Sequence, residues 1–230
     1  MCIRDSQSLS LKSLKYVLFD WDNTLAESRT ALVTVVNQVL AEYHMPNWDI
    51  VKKRRDAKLS FRDNFPNIFG DELAPRAYRR YAELYLQQVP SLISTFPCVP
   101  EVLEFFRCRG VPMLIMSNKD RRLLDAELPL LFSPSLFARI VAGHEAPHDK
   151  PYREHILYSL EGLLKPEEIT PENVWMIGDS AQDSDCALAA NALPIRIGEP
   201  IWHDDNPKDG RIKYFHDFKA FYQALIAAGC

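Results

Sequence analysis

Five short apolar runs punctuate the chain: Tyr16 to Phe19, Pro112 to Met116, Ala138 to Ala142, Val174 to Ile177 and Pro194 to Ile197. Runs of this length that are mostly continuous, not alternating, predict strands buried on both faces. Between them, amphipathic stretches at Val99 to Arg109, Tyr152 to Leu163, Ser184 to Ala190 and Asp217 to Ala228 predict helices, and Gly110 stands where a C′ glycine would end the first. Strands alternating with helices in this way predict an α/β fold, a parallel sheet flanked by crossover helices.

From Ser28 to Thr95 the pattern changes. No strand is evident there, but Thr30 to Tyr43, Trp48 to Lys58 and Glu72 to Val89 carry helical periodicity. We expect a small all-helical insert at 28–95, entered from the first strand's loop and left through the proline-stiffened Phe96-Pro97-Cys98-Val99-Pro100. The α/β core would then comprise 14–27 and 96–230. Residues 1–13, opening on the polar MCIRDSQSLS, read as a leader outside the fold, the first six as a short tag or gene-model artefact.

Charge divides along the same boundary. The insert holds 10 Lys+Arg and 7 Asp+Glu, a net of +3, against −7 for the remainder and −4 for the whole chain. A basic lid over an acidic base results, and the overall sign argues against a generic nucleic-acid binder. Five cysteines without C-x-x-C spacing indicate neither a disulfide framework nor a thiolate zinc site, which fits a reducing cytoplasm. No window approaches the ~18 apolar residues of a membrane span, so no membrane partner is expected. A monomer or homodimer is expected.

The chemistry sits at the predicted strand ends. Asp20 and Asp22 follow the first run; Ser117-Asn118 follow the second; Gly178-Asp179, with Asp183 four residues on, follow the fourth. His148-Asp149-Lys150-Pro151 opens the helix after the third run. Parallel strands present their carboxyl ends on one edge, so these groups should converge where open α/β sheets bind ligands. Four crowded carboxylates would raise one another's pKa values without positive charge nearby. Lys150 supplies one charge, and an all-oxygen ligand set favours Mg²⁺ for the rest, which makes metal-assisted phosphoryl transfer the leading chemistry.

In this order the motifs resemble those of the haloacid dehalogenase-like (HAD) hydrolases: Asp20-Trp21-Asp22-Asn23-Thr24, Ser117-Asn118, Lys150-Pro151 and Gly178-Asp179-Ser180-Ala181-Gln182-Asp183. The resemblance spans about residues 15 to 200. It implies a Rossmann-like core with a helical cap, and Asp20 as nucleophile forming an aspartyl-phosphate. It implies Asp22 as general acid/base and Mg²⁺ held by Asp20, the Asp22 backbone carbonyl and Asp179. Ser117, Asn118 and Lys150 would hold the phosphoryl group, with Thr24 bracing the loop and Asp183 orienting metal-bound water or Lys150.

Dehalogenases of the family lack an acid at the position of Asp22, because halide leaves without a proton. The acid therefore implies a phosphatase of a small phosphorylated metabolite, similar to phosphoglycolate phosphatase, with a phosphomutase or a non-catalytic regulator as alternatives. Departures from the family pattern are Ala26-Glu27-Ser28 after the first motif and Asn191 where a glycine is usual. Lys52-Lys53-Arg54-Arg55 and Arg62 are candidates for a second anionic group on the substrate, though a charge run is more often a solvated face. Tyr78, Tyr81 and Tyr85 share a helix face and should pack in the cap or at its seam. Zinc at His144 and His148 is disfavoured because Pro147 intervenes.

Overall fold

A computed structural model describes residues 9–56, 58–198 and 209–229. Its sheet has six parallel strands: β1 (Tyr16–Phe19), β2 (Met113–Met116), β3 (Arg139–Val141), β4 (Val174–Gly178), β5 (Leu193–Ile197) and β6 (Lys213–Phe215). They lie in the order β3-β2-β1-β4-β5-β6. β1 pairs with both β2 and β4, Phe19 lying beside Ile115 on one side and Ile177 on the other. The chain thus runs outward from β1 one way and from β4 the other, and the crevice beyond their tips is the topological switch point.

Side chains of successive strand residues point to opposite faces, which sorts the core into two layers. Val17 and Phe19 pack with Ile115, Trp175 and Ile177 beneath helices α5 (Val99–Cys108) and α9 (Phe218–Ala228). Leu18 packs with Leu114, Met116, Val174 and Met176 beneath α7 (Glu154–Ser159) and α8 (Ala181–Ala189). The first layer is completed by α6 (Arg121–Leu131), which contributes Leu124 and Leu128.

Among the described residues of 29–92 the regular elements are all helices. α1 (Arg29–Glu42), α2 (Trp48–Val51), α3 (Phe65–Phe69) and α4 (Ala74–Leu92) enclose a core of their own, including Val36, Trp48, Phe65 and the tyrosines Tyr81 and Tyr85. The outgoing and returning linkers meet where Glu27 N donates to Ser94 O at 2.8 Å. Both crossings are therefore tied together at one hinge.

Several boundaries differ from the sequence reading. Leu9, Leu11 and Leu14 pack against the sheet core, so the expected leader does not reach to residue 13; residues 1–8 lie outside the described residues. The helix expected over Trp48 to Lys58 ends in a 3₁₀ turn at Arg54, because Arg55 is already extended at ψ 145°. That expected over Tyr152 to Leu163 is only α7, since the turn beyond it runs to Gly162 at φ 74°. α8 starts earlier than expected because Ser180 caps it, its side chain and that of Asp183 closing on each other's backbone N–H. α3, α6 and β6 were not anticipated.

Candidate active site

The tips of β1 and β4 place Asp20 and Asp179 side by side, the Asp20 N–H still bonded to Ile177 O at 2.8 Å. Both acids are buried. The ammonium of Lys150 reaches between them and α8, pairing with Asp20 Oδ1 at 2.5 Å and Asp183 Oδ1 at 2.7 Å. Lys150 is aimed by its own backbone: its N–H donates to Asn118 Oδ1 at 3.0 Å and His155 Nδ1 at 3.2 Å, while Asn118 Nδ2 donates to Lys150 O at 2.8 Å. Asn118 thus ties the tip of β2 to the backbone of Lys150, and it lines the same pocket as Asp20 and Ser117.

Asp183 is held equally firmly. Its Oδ2 accepts from Ser180 N at 3.0 Å and Ser180 Oγ at 2.6 Å, leaving Oδ1 to Lys150. The carboxylate fills the space above Gly178, where an added Cβ would lie 2.3 Å from Asp183 Oδ2. Only glycine fits there. Of the two roles considered for Asp183, this contact points to the orientation of Lys150. Thr24 Oγ1 lies 3.4 Å from Asp20 Oδ2, Asn23 Nδ2 donates to Asp179 Oδ2 at 2.6 Å, and Ser117 is buried at the mouth of the same crevice.

Burial pushes the Asp20 carboxyl up to about 7 against the pull of the Lys150 ammonium, and the charges of Asp183 and Asp22 add to the rise. Lys150 itself is held above the usual lysine range: burial opposes its charge, but Asp183 and Asp20 outweigh that cost. A nucleophilic Asp20 needs the anion, so the crevice calls for further positive charge. Asp20, Asp179 and Asp183 each offer an oxygen within 4.8 Å of the others. With Asp183 engaged by Lys150 and Ser180, Asp20 and Asp179 are the side chains best placed to hold a hard cation, a donor set that fits Mg²⁺.

Asp22 sits on the cap side of the crevice. Its Oδ1 accepts from Ser28 Oγ at 2.5 Å and Lys119 Nζ at 2.7 Å. Lys119 also pairs with the fully buried Glu127 at 2.8 Å, whose other oxygen accepts from Trp21 Nε1. The cap closes the crevice into a pocket of about 130 Å³, roofed by Arg55, Arg62, Phe61, Tyr78 and Tyr81.

The loop bearing these arginines is fixed by Asn64, which accepts from Asp56 N and donates to the carbonyls of Asp56, Leu59 and Ser60. Arg62 Nη2 lies 3.7 Å from Asp149 Oδ2 of the core. Lys52, Lys53 and Arg54 are exposed, so only Arg55 of the charge run faces the pocket. His144 meets Asp63 at 3.3 Å across the seam, and the His148 ring lies tilted at 50° against Tyr152, so the two histidines have different partners.

A family model for haloacid dehalogenase-like hydrolases matches residues 17–196. The chain belongs to this family. The phosphoglycolate phosphatase of Chromobacterium violaceum is 27% identical over 198 residues, covering 83% of this chain and 87% of that protein. Pyrophosphatase PpaX of Oceanobacillus iheyensis is 25% identical over 187 residues, covering 80% and 84%. A solved structure of a predicted phosphoglycolate phosphatase from Haemophilus somnus superposes with a TM-score of 0.74 at 18% identity, covering 93% of this chain and 99% of that one.

Within this HAD hydrolase, the sequence reading missed Lys119, Glu127, Ser28 and Asn23. Glu127 left a signal: it shares the buried face of α6 with Leu123, Leu124 and Leu128. A carboxylate on an apolar stripe needs a buried partner. Arg196 is likewise buried, its Nη2 donating to Asp179 O at 3.2 Å from the middle of β5. Among the described residues, no helix is long and apolar enough to cross a membrane.

Proposed function

We propose that the protein is a Mg²⁺-dependent phosphomonoester hydrolase of a small metabolite, with 2-phosphoglycolate the leading substrate. The observation that carries this is the buried Asp20–Lys150–Asp183 cluster beside Asp179 at the base of the pocket beneath the cap. A pocket of about 130 Å³ is far below the ~300–1,000 Å³ typical of drug-sized ligands, which favours a substrate of few atoms. The relatedness to phosphoglycolate phosphatases supports the same choice.

In this reading the Asp20 carboxylate attacks phosphorus, and the bond to the leaving oxygen breaks as Asp22 gives that oxygen a proton. Lys150 and Ser117 hold the equatorial phosphoryl oxygens. Mg²⁺ bound by Asp20, the Asp22 carbonyl and Asp179 would offset the repulsion between phosphate and carboxylate. Water then attacks the phosphoaspartate while Asp22 takes its proton. Residues 28–95 serve as the lid that excludes bulk water, and Arg62 faces the acid group of the substrate's tail.

The test is phosphate release from 2-phosphoglycolate and p-nitrophenyl phosphate by purified protein with Mg²⁺. Release by the native chain and none by folded Asp20→Asn is expected. Activity retained in Asp20→Asn would overturn the assignment, and conversion of a sugar phosphate to its isomer without phosphate release would replace it with a mutase.

A further inference from the structure

Lys119 carries a charge inside the crevice that the proposed steps leave unused. It follows Ser117 and Asn118 at the tip of β2 and lines the pocket, so a ligand role for substrate phosphate is the obvious reading. The geometry argues otherwise. The Lys119 ammonium donates to Asp22 Oδ1 at 2.7 Å and to the Tyr85 hydroxyl at 3.3 Å, and it pairs by charge with Glu127 Oε1 at 2.8 Å. Its charge is already met by two buried or half-buried carboxylates, which leaves little attraction for a phosphate oxygen.

The ammonium is also anchored from behind. Glu127 is fully buried, and Trp21, between the two aspartates of the first loop, donates to its other oxygen. Lys119, Glu127 and Trp21 therefore form a closed link from α6 to the Asp22 loop, with Tyr85 bringing in the cap. A lysine flexible in solution is held here at one point. Ser28, at the hinge where the chain enters the cap, meets the same carboxylate oxygen at 2.5 Å.

We propose that Lys119, fixed by Glu127, is a positioning residue that holds the Asp22 carboxylate over the reaction centre, and that its main effect falls on hydrolysis of the phosphoenzyme. This rests on the roles given above to Asp20 and Asp22. In that step a bond forms from the water oxygen to phosphorus, and the bond from phosphorus to Asp20 breaks. The electron pair returns to the Asp20 carboxylate, phosphate departs and the water proton passes to Asp22. Without Lys119, Asp22 is held by Ser28 alone and swings in the crevice.

p-Nitrophenyl phosphate separates the two steps, because its phenolate leaves as a stable anion without a proton while its phosphoenzyme still needs Asp22. Lys119→Met would strand Glu127 as an uncompensated buried charge, so the double variant K119M/E127Q, which removes both charges, is the better probe. Rapid mixing with p-nitrophenyl phosphate and Mg²⁺ should give a burst of one phenolate per protein. A steady rate about 100-fold below native should follow, the lower end of what a positioned acid or base contributes.

Native steady turnover in the variant, or loss of the burst together with the steady rate in a protein that melts normally, overturns the proposal. Should the double variant not fold, Lys119→Gln, which keeps a donor toward Glu127, is read the same way. Absence of Asp20-dependent turnover in the native chain would sink the phosphatase reading itself, an outcome distinct from unchanged turnover in the Lys119 variants.

Discussion

His155 links the acid stability of the fold to Lys150. It is fully buried on α7, and its Nδ1 accepts the Lys150 N–H at 3.2 Å, a bond available only to the neutral ring. Burial pushes its pKa down to about 3 from the ordinary 6.5, and the Lys150 charge adds to the fall. Because the folded value lies below the unfolded one, the stabilisation is fully present above pH 6.5 and is lost as pH drops from there toward 3.

At pH 5 the unfolded ring is mostly protonated and the folded ring is not, which costs about 2 kcal/mol relative to pH 7 at 1.36 kcal/mol per pH unit. His155→Gln keeps a polar side chain but cannot titrate. Urea denaturation of both proteins at pH 7 and pH 5 should therefore show the native chain losing about 2 kcal/mol more than the variant. Equal losses would refute the claim that His155 is held neutral beside Lys150.

Gly178→Ala should force Asp183 off Lys150, costing about 1–3 kcal/mol of stability by overpacking and lowering kcat, as thermal melts and kinetics would show. Arg62→Ala should raise KM for 2-phosphoglycolate roughly 10- to 100-fold, the worth of a charged hydrogen bond, while sparing p-nitrophenyl phosphate; equal effects on both would remove Arg62 from tail recognition. EDTA should abolish turnover and added Mg²⁺ restore it, with the melting transition still cooperative; full activity after chelation would exclude the metal requirement.

The features legible in the sequence were those set by local chemistry. The apolar run ending in Asp20 and Asp22 announced β1 and its tip, and Gly110 and Asn191 adopt the positive φ of 64° and 59° that their positions suggested. What escaped depends on contacts distant in sequence. Lys119 is given its role by Glu127 on α6 and Asp22 on the β1 loop, 97 residues away from the latter. The bond from Asn118 to the Lys150 carbonyl likewise exists only because the loop after β3 returns to the tip of β2. α3 is about one turn and a half whose buried Phe65, Ile68 and Phe69 only the cap core organises.

The central claim is that Asp20 carries the phosphoryl group. Native protein mixed with 2-phosphoglycolate and Mg²⁺, quenched in acid within a turnover and analysed by peptide mass spectrometry, should show one added phosphoryl group on the peptide containing Asp20. That mass should be absent from Asp20→Asn. Full turnover with the phosphoryl group on another residue, or with the mass still present in Asp20→Asn, would contradict the account.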